Sequence, residues 1–178
     1  MIVVSPLQHL DATAARHRPS HVLTLLSPGH ERAAPSPAFE RHLALYFHDI
    51  TEPRDGLVAP DRAGVSAVLD FAAGWTAARP LLVHCWAGIS RSSAAAFIVA
   101  CARNGGQERA IADELRRRAP FATPNRLMVG LADDLLRCEG RMIGAIERIG
   151  RGADAFQGTP YRLPASFPAD RPASEYQP

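Results

Sequence analysis

A short apolar run, Leu81-Leu82-Val83, stands after Pro80 and leads into His84-Cys85-Trp86-Ala87-Gly88-Ile89-Ser90-Arg91, with Ser92 next. From Ser92 to Ala102 the chain reads SSAAAFIVACA, with no residue that breaks a helix. The run before the cysteine predicts a buried strand and the stretch after the arginine a helix. A cysteine, five residues and an arginine therefore occupy a strand-to-helix turn. Few folds satisfy that arrangement, because the turn must curl so that its N–H groups meet at the helix N-terminus.

Such a turn gathers backbone amides and the positive end of a helix dipole into one concavity, which suits a dianion. Cys85 at its base meets amides, dipole and guanidinium, all of which favour thiolate over thiol. Arg91, returning to the rim, can grip two oxygens of a tetrahedral anion with its planar fork, which Lys does less well. Gly88 supplies the backbone freedom the curl needs. The amides of Trp86, Ala87, Gly88, Ile89, Ser90 and Arg91 are the expected phosphate binders. In a chain with 7 His, 3 Cys and 20 Arg, chance would place this pattern in roughly one chain of a hundred.

These residues resemble the cysteine-dependent protein tyrosine phosphatases, and more closely the small dual-specificity-like branch and the compact bacterial tyrosine phosphatases. The resemblance covers about residues 1 to 140. It implies hydrolysis of phosphoproteins, with phosphotyrosine foremost, through a phosphocysteine on Cys85, without metal or cofactor. It also implies a general-acid aspartate some way ahead of the nucleophile. Asp49, in Phe47-His48-Asp49-Ile50, lies 36 residues before Cys85 and follows a strand-like run, while Asp55, in Arg54-Asp55-Gly56, is the alternative. By the same resemblance Ser92 hydrogen-bonds the departing thiolate and His84 helps hold it. Asn125, in Thr123-Pro124-Asn125, matches the Pro-Asn that follows the phosphate loop.

Three rivals are weaker. A rhodanese-type sulfurtransferase has a loop one residue shorter, and the low-molecular-weight phosphatases carry their cysteine loop near the N-terminus with the aspartate after it. A phosphate-binding pseudophosphatase or adaptor normally loses the cysteine, arginine or aspartate, and all three residue types are present here. Trp86 and Ile89 stand where phosphoinositide phosphatases often carry basic residues, which argues against lipid substrates.

With 178 residues, 47% hydrophobic and 21% charged, the chain has enough length for one substantial core. A formal net charge of +2 excludes a nucleic-acid binder that works by bulk charge. No stretch is long enough to span a bilayer, and the N-terminus MIVVSPLQHL lacks the basic lead of a signal peptide. A cytoplasmic location is expected. Cys85, Cys101 and Cys138 are too few and too irregular for a disulfide framework or a zinc site. Cys101 and Cys138 read as core filler. His17 and His21 are four apart, but Pro19 between them breaks a shared helical face. All the cationic side chains are Arg, with no Lys, which fits a GC-rich bacterial genome.

Strands are expected at Ile2 to Val4, His21 to Leu26, His42 to Phe47 and Leu81 to His84. Helices are expected at Asp11 to His17, Asp61 to Ala78, Ser92 to Arg103, Gln107 to Arg118, Pro124 to Cys138 and Arg141 to Gly150. The third of these helices ends at Asn104-Gly105-Gly106, and the Asp61 helix carries Val65, Val68, Leu69, Ala72 and Trp75 at helical spacing. This order predicts an α/β sandwich with a central, mostly parallel sheet flanked by helices and ligands at the carboxyl ends of its strands. Residues 1–150 read as the domain and 151–178 as a Pro/Gly-rich, partly ordered tail. Tyr161, Leu163 and Phe167 of that tail are candidates for docking on the domain, and Ala169 to Pro178 is expected to be loose. Ser27 to Pro37 reads as a loop with His30 but no Phe, Tyr or Trp.

Overall fold

Four strands run parallel: β1 (Ile2–Pro6), β2 (His21–Leu26), β3 (Arg41–Tyr46) and β4 (Leu81–Cys85). A fifth, β5 (Tyr161–Leu163), joins the edge of β1 antiparallel, and the sheet order is β3-β2-β4-β1-β5. The structure, a computed structural model, describes residues 1–30 and 39–168. Part of the loop expected at Ser27 to Pro37, and all of Ala169 to Pro178, lie outside the described residues.

Every residue of β1, β2 and β4 is buried, as strands covered on both faces must be. The period of two divides their side chains between two cores. Ile2, Val4, Leu23, Leu25, Leu81, Val83 and Cys85 face the larger core, under helices α2 (Arg62–Ala73), α3 (Arg91–Arg103), α4 (Glu108–Arg118), α5 (Arg126–Leu136) and α6 (Arg141–Ile149). Val3, Val22 and Leu82 face a smaller one with Leu10 and Ala14 of α1 (Leu10–His17). No helix among the described residues is long and apolar enough to cross a membrane.

The helix after the cysteine loop is the centre of the larger core. Residues Arg91 to Cys101 of α3 are all buried, and from Ala94 to Cys101 the stretch is apolar on every side. Burying Phe97, Ile98 and Val99 contributes about 1.5–3 kcal/mol each. Its small residues Ala94, Ala95, Ala96 and Ala100 are wholly buried, so that α3 is enclosed on the side of the sheet and on the side of the other helices. The N-terminus of α3 is thereby fixed at the carboxyl end of β4.

One expectation needs correction. The helix from Asp61 ends at Ala73, not Ala78, and Asp61 caps its start by accepting from Gly64 N at 2.7 Å. Trp75 is buried beyond the helix end, with Nε1 donating to Arg79 O at 2.7 Å and the Arg103 guanidinium 5.0 Å from its ring centre. Helical spacing had placed it on the α2 face, but the indole N–H required an acceptor and found it in the turn. The sheet also takes in chain beyond residue 150. Tyr161 and Leu163 of β5 are buried and Phe167 packs against the larger core. A three-residue edge strand has no detectable period, so only pairing with β1 reveals it. Cys101 and Cys138 are buried, and burial pushes both thiols above the usual range.

Candidate active site

The loop between β4 and α3 is held open by its carbonyl groups. Trp86 O accepts from Leu7 N at 3.1 Å, Ala87 O from Gly158 N at 2.8 Å, Ile89 O from Thr123 N at 3.0 Å and Ser90 O from Ala94 N at 2.8 Å. In a planar trans peptide the N–H points opposite to the carbonyl before it. The amides of Ala87, Gly88, Ser90 and Arg91 are therefore turned to the other side, toward the concavity. Gly88 N donates to Cys85 Sγ at 3.3 Å, in keeping with that orientation. Gly88 has φ +71°, and a Cβ there would lie 2.8 Å from Pro6 N, so the end of β1 packs where only glycine leaves room.

Cys85 Sγ also lies 3.1 Å from Ser92 Oγ, both side chains being buried at the start of α3. Arg91 is 5% exposed, and its Nη1 donates to Phe47 O at 2.7 Å and Ser27 Oγ at 3.2 Å. Its Nε is buried with no partner among the described residues. A guanidinium so anchored on one side keeps a second edge for a ligand, and a buried N–H without an acceptor is costly unless one arrives.

Asp49 reaches the same cavity from the loop after β3. Its Oδ1 accepts from Ser90 Oγ at 2.7 Å and from Asn125 Nδ2 at 2.8 Å, while the residue itself is exposed. Asn125 also donates to Ile50 O at 3.2 Å and, with its Oδ1, caps α5 by accepting from Met128 N at 3.0 Å. The loop is pinched shut by His48: its N donates to Val58 O at 2.7 Å, and its Nδ1 accepts from Val58 N at 2.9 Å. A cavity of about 330 Å³ is lined by Ser27, His30, Asp49, Cys85, Trp86, Ala87, Ile89, Ser90 and Arg91. Its rim carries Trp86, 54% exposed, and His30, whose ring meets the indole edge-on at 5.4 Å between centres.

Cys85, Arg91, Asp49, Trp86, Ala87, Ile89 and Ser90 thus line one cavity, with Ser92 and Asn125 touching it through Cys85 and Asp49. Asp55 sits on an exposed turn and does not line it. His84 is fully buried and turns the other way, with Nε2 2.7 Å from Thr24 Oγ1. Sequence reasoning missed Ser27, which follows β2 at the ligand-bearing edge and could have been suspected from that position. It also missed Leu7, Thr123 and Gly158, which act through backbone N–H groups and carry no side-chain signal. Among the described residues no group of three or more His, Cys, Asp or Glu could hold a metal ion.

No protein-family model matches the chain, and no curated protein matches it. Solved structures do. One is a crystal structure of DUSP15, with TM-score 0.58 and 18% identity, covering 85% of this chain and 94% of that one. Another is the Yvh1 phosphatase domain from Chaetomium thermophilum, with TM-score 0.55 and 17% identity, covering 79% of this chain and 93% of that one. The chain has the α/β fold of these proteins.

Proposed function

We propose that this protein is a phosphomonoester hydrolase that acts on phosphoproteins through a phosphocysteine on Cys85, in a reducing, cytoplasmic setting. The observation that carries the reading is Arg91: buried, anchored through Nη1, and with Nε unpartnered among the described residues, beside a loop whose amides face the same cavity. In the first step the Cys85 thiolate attacks phosphorus while the loop amides and the Arg91 edge stabilise the equatorial oxygens. Asp49 Oδ1 already accepts two hydrogen bonds, so the acid proton sits on Oδ2 and passes to the leaving oxygen. Water then attacks the phosphocysteine with Asp49 as base, and Ser92 Oγ donates to the departing thiolate.

The substrate reading is phosphotyrosine first, with phosphothreonine also accepted. Trp86 and His30 form a single aromatic contact at the rim, which supports a shallow mouth, and phenolate is the better leaving group. A phosphotyrosine preference beyond about four decades in kcat/KM on matched peptides would demand more differential transition-state binding than such a rim supplies.

Cys85→Ser and Arg91→Lys should each nearly abolish hydrolysis of an aryl phosphate, and vanadate should inhibit while EDTA should not. Loss of activity in EDTA overturns the metal-free mechanism. Binding of phosphopeptides by the unmodified chain without phosphate release would make it a pseudophosphatase. Because Cys101 and Cys138 are held as thiols while Cys85 lines the cavity, mild peroxide should modify Cys85 first.

A further inference from the structure

Thr24 on β2 stands opposite His84 on β4. Its Oγ1 lies 2.7 Å from His84 Nε2 and 2.8 Å from His42 Nε2, and these are its two side-chain hydrogen bonds among the described residues. Thr24 is 2% exposed and His84 fully buried, whereas His42 lies on β3 at the edge of the sheet. A hydroxyl has one hydrogen and can accept with its lone pairs. Buried, that hydrogen needs an acceptor, and the only ring atoms within reach are the two Nε2 atoms. One Nε2 is therefore bare and accepts from Thr24, and the other carries a hydrogen and donates to it.

We propose that Thr24 is a positioning residue of the site: through its single hydroxyl hydrogen it ties the tautomer of His84, the residue before the nucleophile, to the state of His42 at the sheet edge. When His42 becomes an imidazolium, both its nitrogens carry hydrogens, so its Nε2 must donate to Thr24. The Thr24 hydrogen then turns to His84, whose Nε2 must be bare and whose ring proton must sit on Nδ1. The net uptake is the one proton His42 receives from solvent; a His84 that begins with its hydrogen on Nε2 releases that proton and takes one up at Nδ1, so its own proton count is unchanged. His42 is faced by Thr24 from β2 and by the Phe39 ring at 5.5 Å, and it shares a surface groove with Glu40, Arg41 and, from α2, Asp70. Glu40 is engaged by Arg79 at 3.1 Å, and burial holds His42 below the usual histidine range, so the change falls on the acid side of neutrality.

The inference rests on Cys85 as the nucleophile only for its effect on turnover, and the linkage itself is measured without activity. Long-range proton–nitrogen NMR of the full chain labelled at histidine, with His42 assigned from His42→Gln, should show opposite Nε2 states in the two rings at neutral pH. On acidification His42 should become imidazolium as His84 shows a bare Nε2. In Thr24→Val the His84 state should no longer follow His42, and Thr24→Ser should restore the link. Thr24→Val should also lower kcat on an aryl phosphate about tenfold, the equivalent of one ordinary hydrogen bond, with KM unchanged. Equal Nε2 states in both rings of the unaltered chain overturn the proposal whether or not Thr24→Val folds. So does a His84 Nε2 that still carries its hydrogen once His42 is an imidazolium. Opposite states in a chain without hydrolase activity would leave the linkage standing and remove the phosphatase reading instead.

Discussion

The loop between β4 and α3 is held on two sides by different kinds of chain. At the front, polar side chains do the work: Ser90 and Asn125 converge on Asp49, and Ser27 steadies Arg91. At the back, backbone amides do it: Leu7 N, Thr123 N and Gly158 N each hold one loop carbonyl. The segment bearing Gly158 is fitted closely against Phe121, since a Cβ on Gly158 would lie 2.4 Å from the Phe121 ring and one on Gly152 would lie 2.5 Å from its backbone. Arg116 secures the start of that segment, donating to Pro120 O, Ile149 O and Gly150 O. The front places the Asp49 carboxyl at the cavity, and the back keeps the amides turned inward. Damage to the first should depend on the leaving group, and damage to the second should not.

The largest effect should come from the front. Asp49→Asn keeps an oxygen for Ser90 and Asn125 but has no proton to give, so turnover of esters with poor leaving groups should fall by about two to four decades and lose its pH dependence on the acidic side. Asp55→Asn, on its exposed turn, should change little. A larger loss in Asp55→Asn than in Asp49→Asn would move the acid to the other end of the loop.

The back should answer differently. Gly158→Ala drives a methyl into Phe121, at a cost of about 1–3 kcal/mol in stability. It should free the Ala87 carbonyl and slow good and poor leaving groups alike, by up to about a hundredfold. Selective loss on poor leaving groups would erase the division between the two sides. Asn125→Ala tests their meeting point. It removes the α5 cap, for about 1 kcal/mol in urea denaturation, and one grip on Asp49, for about a tenfold loss confined to poor leaving groups.

The smallest effect lies at the base of the back. Arg117 first, and then Arg118, hold the Glu114 carboxyl at about 2 through hydrogen bonds at 2.6–2.7 Å. A depressed carboxyl contributes stability above its unfolded value, about 4.3, and loses it as pH falls through the folded value. Because the arginines are exposed, Glu114→Gln should cost at most about 1 kcal/mol at pH 7. The difference from the unaltered chain should shrink between about pH 4 and pH 2, without change in turnover at pH 7.

Residue by residue, the front was legible and the back was not. Cys85, Arg91, Asp49, Ser92 and Asn125 could be named from spacing and resemblance because each carries its chemistry in its own side chain, and the structure gathers them at one cavity. The strand before Cys85 and the helix after it were legible because a run of buried apolar residues is written into the chain. Leu7, Thr123 and Gly158 were not, since every residue but proline has an amide N–H and identity does not say which one meets a loop carbonyl. The same holds for β5, whose three residues form a strand only against β1. It holds also for Trp75, whose indole found its acceptor outside the helix. The pairing of Thr24 with two histidines depends on the register of β2, β3 and β4, which local sequence leaves open. The chain by itself determined which side chains can do chemistry. Only the tertiary structure decided which backbone groups hold them, because hydrogen bonding between distant segments is set by how the sheet and helices pack and not by residue type.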